Sequence, residues 1–157
     1  MESYFQWLQS LPTSVWISQS ESIWAYPLVL FLHSIGMGLS VGSAFVVCLR
    51  LLGVARSMPV SAFRVMFQIF WGGFYLNLVT GSLLFAAAAT TTGHIPIYYV
   101  KLILIAIGMI VSVPIRRFVD GGASEGNVPR HIKTLASLSL VIWVGVITTG
   151  RLIAYIQ

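Results

Sequence analysis

Charge is what this chain has least of. Only 8% of its 157 residues are Asp, Glu, Lys or Arg, against about 25% in an ordinary soluble domain. A water-facing surface cannot be built from so few charges, and the 57% hydrophobic composition points to a chain solvated by lipid. A single cysteine, Cys48, excludes an internal disulfide and any zinc or iron–sulfur site that needs several thiolates. Carboxylates are scarce as well. Asp120 and Glu125 fall in a hydrophilic stretch and Glu2 and Glu21 precede the first long apolar run, so none is placed for acid/base work or a hard-cation cage inside a membrane. Residues 1–24 lack the basic n-region and small-residue cleavage site of a signal peptide. No Gly- or Pro-rich linker divides the sequence, which reads as one domain.

What is present is a series of long apolar runs. A hydrocarbon core of roughly 30 Å needs about 20 helical residues, and runs at about 25–49, 67–90, 97–115 and 134–155 supply them. The predicted fold is all-α, an integral membrane four-helix bundle with a short interfacial N-terminal helical segment over residues 1–24. In that segment Tyr4, Phe5, Trp7, Leu8, Leu11 and Trp16 alternate with polar residues, a mix suited to the headgroup boundary, and Pro12 breaks it into one or two helices. Thr91–Pro96 reads as an uncharged turn, and Asp120–Pro129 as the only strongly hydrophilic loop, with Gly121-Gly122 and Gly126-Asn127 as turn signals.

The net charge of +5 does not mark a nucleic-acid surface, because the basic residues bracket apolar runs. Arg50, Arg56, Arg64, Arg116, Arg117, Arg130 and Lys133 fall on one side of the predicted topology, and Lys101 and Arg151 near the other. By the positive-inside rule both termini lie outside, in the periplasm of a Gram-negative host, with the two basic loops in the cytoplasm.

Small residues recur at helical spacing. Gly36, Ser40 and Ala44 share the face of His33; Gly73, Asn77 and Gly81 form a second stripe; Lys101, Gly108 and Ser112 a third; the fourth run offers Gly145, Thr148, Thr149 and Gly150. Such stripes let helices approach closely in lipid, as Gly38 and Gly42 at a spacing of four also predict, and a flat prosthetic group would need the same lack of bulk.

Three ionisable residues then converge on the outer half: His33 early in the first run, Lys101 at the start of the third, Arg151 near the end of the fourth. Intramembrane charge marks a functional site by default, with snorkelling to the headgroups as the bland reading of Lys101 and Arg151. An imidazole with cations at its level suits a haem, whose iron takes an axial histidine and whose propionates need positive partners. A quinone head or another anion fits the same charges. His33 is thus a candidate haem ligand, a hydrogen-bonded structural histidine, or a ligand to copper or another group. Gly36, Ser40, Lys101 and Arg151 are candidate cofactor-binding residues around it. His94, in the outer turn, is a candidate second axial ligand; His131 belongs to the basic loop.

The segments FLHSIGMGLSVGSAFVVCLRLLG, VTGSLLFAAAAT, YYVKLILIAIGMI and GRLIAY resemble a large group of small four-helix bacterial inner-membrane proteins. The chain is also similar, more distantly, to the copper-resistance CopD family and to J-type protoporphyrinogen oxidases. The oxidase resemblance implies haem b, with His33 and Lys101 at the positions that matter; the CopD resemblance implies copper movement. The external segments carry no His and Met cluster of the kind a copper port uses. The expected function is a haem b binding electron-transfer or anchoring subunit beside a membrane redox partner, rather than an independent enzyme. The competing readings are a cofactor-free assembly subunit and a copper transport protein.

Overall fold

A computed structural model describes residues 2–121 and 128–156. Those residues form seven α-helices and one 3-10 turn: α1 (Glu2–Gln9), α2 (Pro12–Gln19), α3 (Tyr26–Leu52), the turn Val60–Phe63, α4 (Arg64–Ala87), α5 (Ala89–Thr92), α6 (Pro96–Asp120) and α7 (Arg130–Ile156). The fold is all-α, and α3, α4, α6 and α7 are long and apolar enough to cross a bilayer, the architecture of a multi-pass membrane protein. Six residues of the predicted hydrophilic loop, 122–127, lie outside the described residues.

Helix boundaries follow local chemistry. Pro12, Pro27 and Pro96 each sit in the first turn of a helix, where a missing N–H leaves no bond unmade. Helix α3 ends at Gly53, whose φ of 108° is a left-handed cap that returns its N–H to Arg50 and the next N–H to Leu49. Helix α6 continues past Arg116-Arg117, beyond the boundary expected at residue 115, to Asp120, which pairs with Arg116 one turn back at 3.3 Å. The second span stops earlier than expected, at Ala87, and the chain turns through the four-residue α5.

Arg50 does more than bracket an apolar run. It is 6% exposed, and its guanidinium donates to the carbonyls of Met58 and Arg56, at 2.7 and 3.3 Å, so it clasps the loop that leads into α4.

Packing is uneven around the bundle. Helices α3 and α4 pair extensively, as do α6 and α7; α3 also lies along α7, whereas α4 and α6 barely touch. The α3/α4 crossing is made by glycine. A Cβ on Gly36 would lie 2.9 Å from the carbonyl oxygen of Gly73, and one on Gly73 would lie 2.6 Å from the Ser40 nitrogen. Gly38 and Gly42, expected to mediate helix approach, face open space instead. Their spacing is right, but they lie on a side of α3 that meets no neighbour.

The end carrying the arginines holds the largest core cluster, which includes Val47, Cys48, Leu51, Phe67, Ile115 and Val119. Towards the other end the core thins to small clusters, and the short N-terminal helices are laid across it, with Ile17 of α2 packed against Val29 and Ala87. Trp7, Trp16 and Trp24 remain exposed on this side, as residues of an interfacial belt do.

Candidate functional site

The open end holds a cavity of about 400 Å³, within the range of small-molecule sites. Four long helices contribute walls: His33, Met37 and Ser40 from α3; Phe74, Asn77 and Gly81 from α4; Tyr98 and Lys101 from α6; Trp143 and Val146 from α7. Tyr4 and Leu8 of α1 close it from above. Because α4 and α6 are sparsely packed, Leu78 and Leu102 both line the cavity and stay exposed on the bundle's surface, so its open side faces the lipid. Near the top the gap is bridged by Phe85 and Tyr98, stacked with centroids 4.8 Å apart and planes 9° from parallel.

His33 is held by α4. Its Nδ1 lies 2.9 Å from Thr80 Oγ1, and that hydroxyl donates its only proton to the Leu76 carbonyl at 2.7 Å. Thr80 therefore accepts from His33, which assigns the proton to Nδ1 and leaves Nε2 with its lone pair. Metal-binding histidines are oriented in this way, by a hydrogen bond at the far ring nitrogen. Gly81 makes room for the ring, since a Cβ there would sit 3.1 Å from His33 Cε1.

Lys101, half-buried, also lines the cavity, with its ammonium 3.5 Å from where a Gly150 Cβ would be. Among the described residues no carboxylate pairs with it; the ion pairs there join Arg64 and Arg116 to Asp120 at the other end. Trp143, 3% exposed and at the middle of α7, has an indole N–H without a partner. The cavity wall thus carries one imidazole, one cation with no ion pair among the described residues, one unmet donor on Trp143 and one unmet acceptor, Asn77 Oδ1, with Ser40, Ser82, Tyr4 and Tyr98 adding hydroxyls to a mainly apolar surface.

The expected residues divide. His33, Ser40 and Lys101 come together on the cavity wall. Gly36 is spent on the α3/α4 crossing, where it faces Gly73 and Asn77. Arg151 is exposed and outside the lining; its neighbour Gly150 is the residue that meets Lys101. His94 is exposed, bonded through Nδ1 to the Thr90 carbonyl at 2.7 Å and set edge-on to Phe5, so it secures α1 and does not line the cavity. His131 is exposed at the start of α7.

Trp143 was not singled out in the sequence, and Thr80 and Tyr98 stood there only within the segments VTGSLLFAAAAT and YYVKLILIAIGMI, with no role given to either. Thr80 also precedes Gly81 on the small-residue stripe of α4, a second local signal that marks it. Among the described residues no three His, Cys, Asp or Glu side chains gather to hold a metal ion. The donor set fits a group that brings its own equatorial ligands and needs one imidazole. No family model, curated protein or solved structure matches the chain.

Proposed function

We propose that this is a membrane-embedded haem b binding subunit serving electron transfer or anchoring in a redox complex of a bacterial inner membrane, with both termini periplasmic. The observation that carries it is the orientation of His33, whose Nδ1–H is taken by Thr80 so that Nε2 is available to the cavity. Bound haem supplies one-electron chemistry. The chain's own residues would do the rest: His33 ligates, Lys101 neutralises a propionate, and Phe74, Tyr98 and Val146 keep water from the macrocycle. The gathering of arginines at the far end of the bundle supports the orientation, since basic loops stay in the cytoplasm.

Absorbance spectra of haem-replete protein, oxidised and then reduced with dithionite, test this. A Soret band that His33→Ala abolishes supports it; no band in wild-type protein overturns it. One observation favours a second reading. The His33–Thr80 bond also joins α3 to α4, as a structural polar clasp in a cofactor-free assembly subunit would. In that case His33→Ala lowers stability but leaves partner activity intact in protein that still assembles.

A further inference from the structure

Helices α4 and α6 make few contacts, and at the arginine end two adjoining cavities of about 370 and 350 Å³ lie between them. Both are bounded by Phe67, Trp71, Arg116 and Asp120; Arg64 completes one, Arg117 and Val113 the other. Among the described residues, three guanidiniums therefore stand around a single carboxylate. Asp120 is already engaged, its two oxygens lying 3.5 Å from Arg64 Nε and 3.3 Å from Arg116 Nε, while Arg117 has no ion pair among the described residues. Below this charged rim the surface changes character. Trp71 lies seven residues along α4 from Arg64, about 10 Å deeper at the rise of a helix, and with Phe70 and Val113 it lines an apolar slot.

We propose that this seam is a binding site for an anionic phospholipid, unrelated to the cavity at the His33 end. The phosphate sits among Arg64, Arg116 and Arg117, and an acyl chain lies along Phe67, Trp71 and Val113. The excess of cations at the level of the headgroups selects an anion, and basic pockets between helices are a recurring way to hold one. The apolar slot directly beneath selects an anion that carries a hydrocarbon tail. A second copy of this chain would bring the same three arginines against each other, so charge complementarity favours lipid over self-association at this face.

The test uses the full chain purified in a neutral detergent. Native mass spectrometry with equimolar phosphatidylglycerol and phosphatidylcholine should show at least tenfold preferential retention of phosphatidylglycerol. The combined variant Arg64→Gln, Arg116→Gln and Arg117→Gln should lose that preference. Inorganic phosphate at millimolar concentration should not displace the lipid. A second measurement leaves the arginines untouched: brominated phosphatidylglycerol should quench tryptophan fluorescence more than brominated phosphatidylcholine, and Trp71→Phe should remove the difference. Equal retention of the two lipids, displacement by phosphate alone, or a lipid-free dimer in which Trp71 is shielded would each overturn the proposal.

Discussion

His33 on α3 and Thr80 on α4 are joined at 2.9 Å, and the bond sets the tautomer of the imidazole at the edge of the cavity. Two helices and one ring are thereby oriented together. Thr80 is 3% exposed, so losing its hydroxyl strands a ring N–H where water cannot replace it. Thr80→Val should destabilise the bundle by about 1–2 kcal/mol and weaken haem retention, while Thr80→Ser should restore both. Unfolding titrations in mixed micelles and the Soret absorbance per protein measure the two effects.

The α3/α4 crossing depends on Gly36 and Gly73, because a Cβ at either would meet backbone of the other helix at 2.9 Å or less. Gly73→Ala should cost about 1–3 kcal/mol through forced separation of the helices. Gly38→Ala, Gly42→Ala and Gly72→Ala, all facing open space, should change stability little or raise it slightly through helix propensity. The same unfolding series separates the two groups, and equal effects at Gly38 and Gly73 would contradict the crossing described here.

Helix α1, whose Tyr4 and Leu8 close the cavity, is anchored by Phe5, which is buried against Phe85 and His94 and reaches Gly93 so closely that a Cβ there would sit 2.6 Å from its ring. Gln9 adds a bond to the Thr90 hydroxyl. Gly93→Ala should therefore displace Phe5 and undock the segment. Amide hydrogen exchange over residues 2–9 should accelerate at least tenfold while exchange in α3 and α7 stays unchanged.

Lys101 places on the cavity wall a charge with no ion pair among the described residues, a costly arrangement that a ligand would relieve. Lys101→Met keeps the length and removes the charge. It should raise the stability of the empty protein by about 1–2 kcal/mol and lower its affinity for an anionic ligand, a trade of stability against function. Arg151→Gln should do neither, because Arg151 lies outside the cavity. Thermal unfolding of both variants, with and without haem, checks the pair.

Much of this was legible in the chain because lipid imposes simple rules. Apolar length alone dictates four spans, since every backbone polar group in a bilayer must be satisfied within a helix. Helical spacing placed Gly73, Asn77 and Gly81 on one face, and that face does meet α3: Gly73 at Gly36, Asn77 at Ser40, Gly81 at His33. Gly38 and Gly42 have the spacing that allows close approach, yet no neighbour within the chain meets them, because spacing specifies a face of one helix and not which neighbour it will meet.

Composition and periodicity by themselves determined an all-α chain of four membrane-length helices, the basic end, and the level at which His33 and Lys101 sit. Sequence could place Arg151 at that level too, because depth along a helix follows from counting residues. Only the tertiary structure decided azimuth: that Gly150 and not Arg151 meets Lys101, that His94 serves α1, and that Thr80 holds His33. It also decided that α4 and α6 stay apart, leaving a cavity at one end and a basic seam at the other. Rotation of each helix about its axis depends on how all four pack at once, and no local stretch of sequence carries that information.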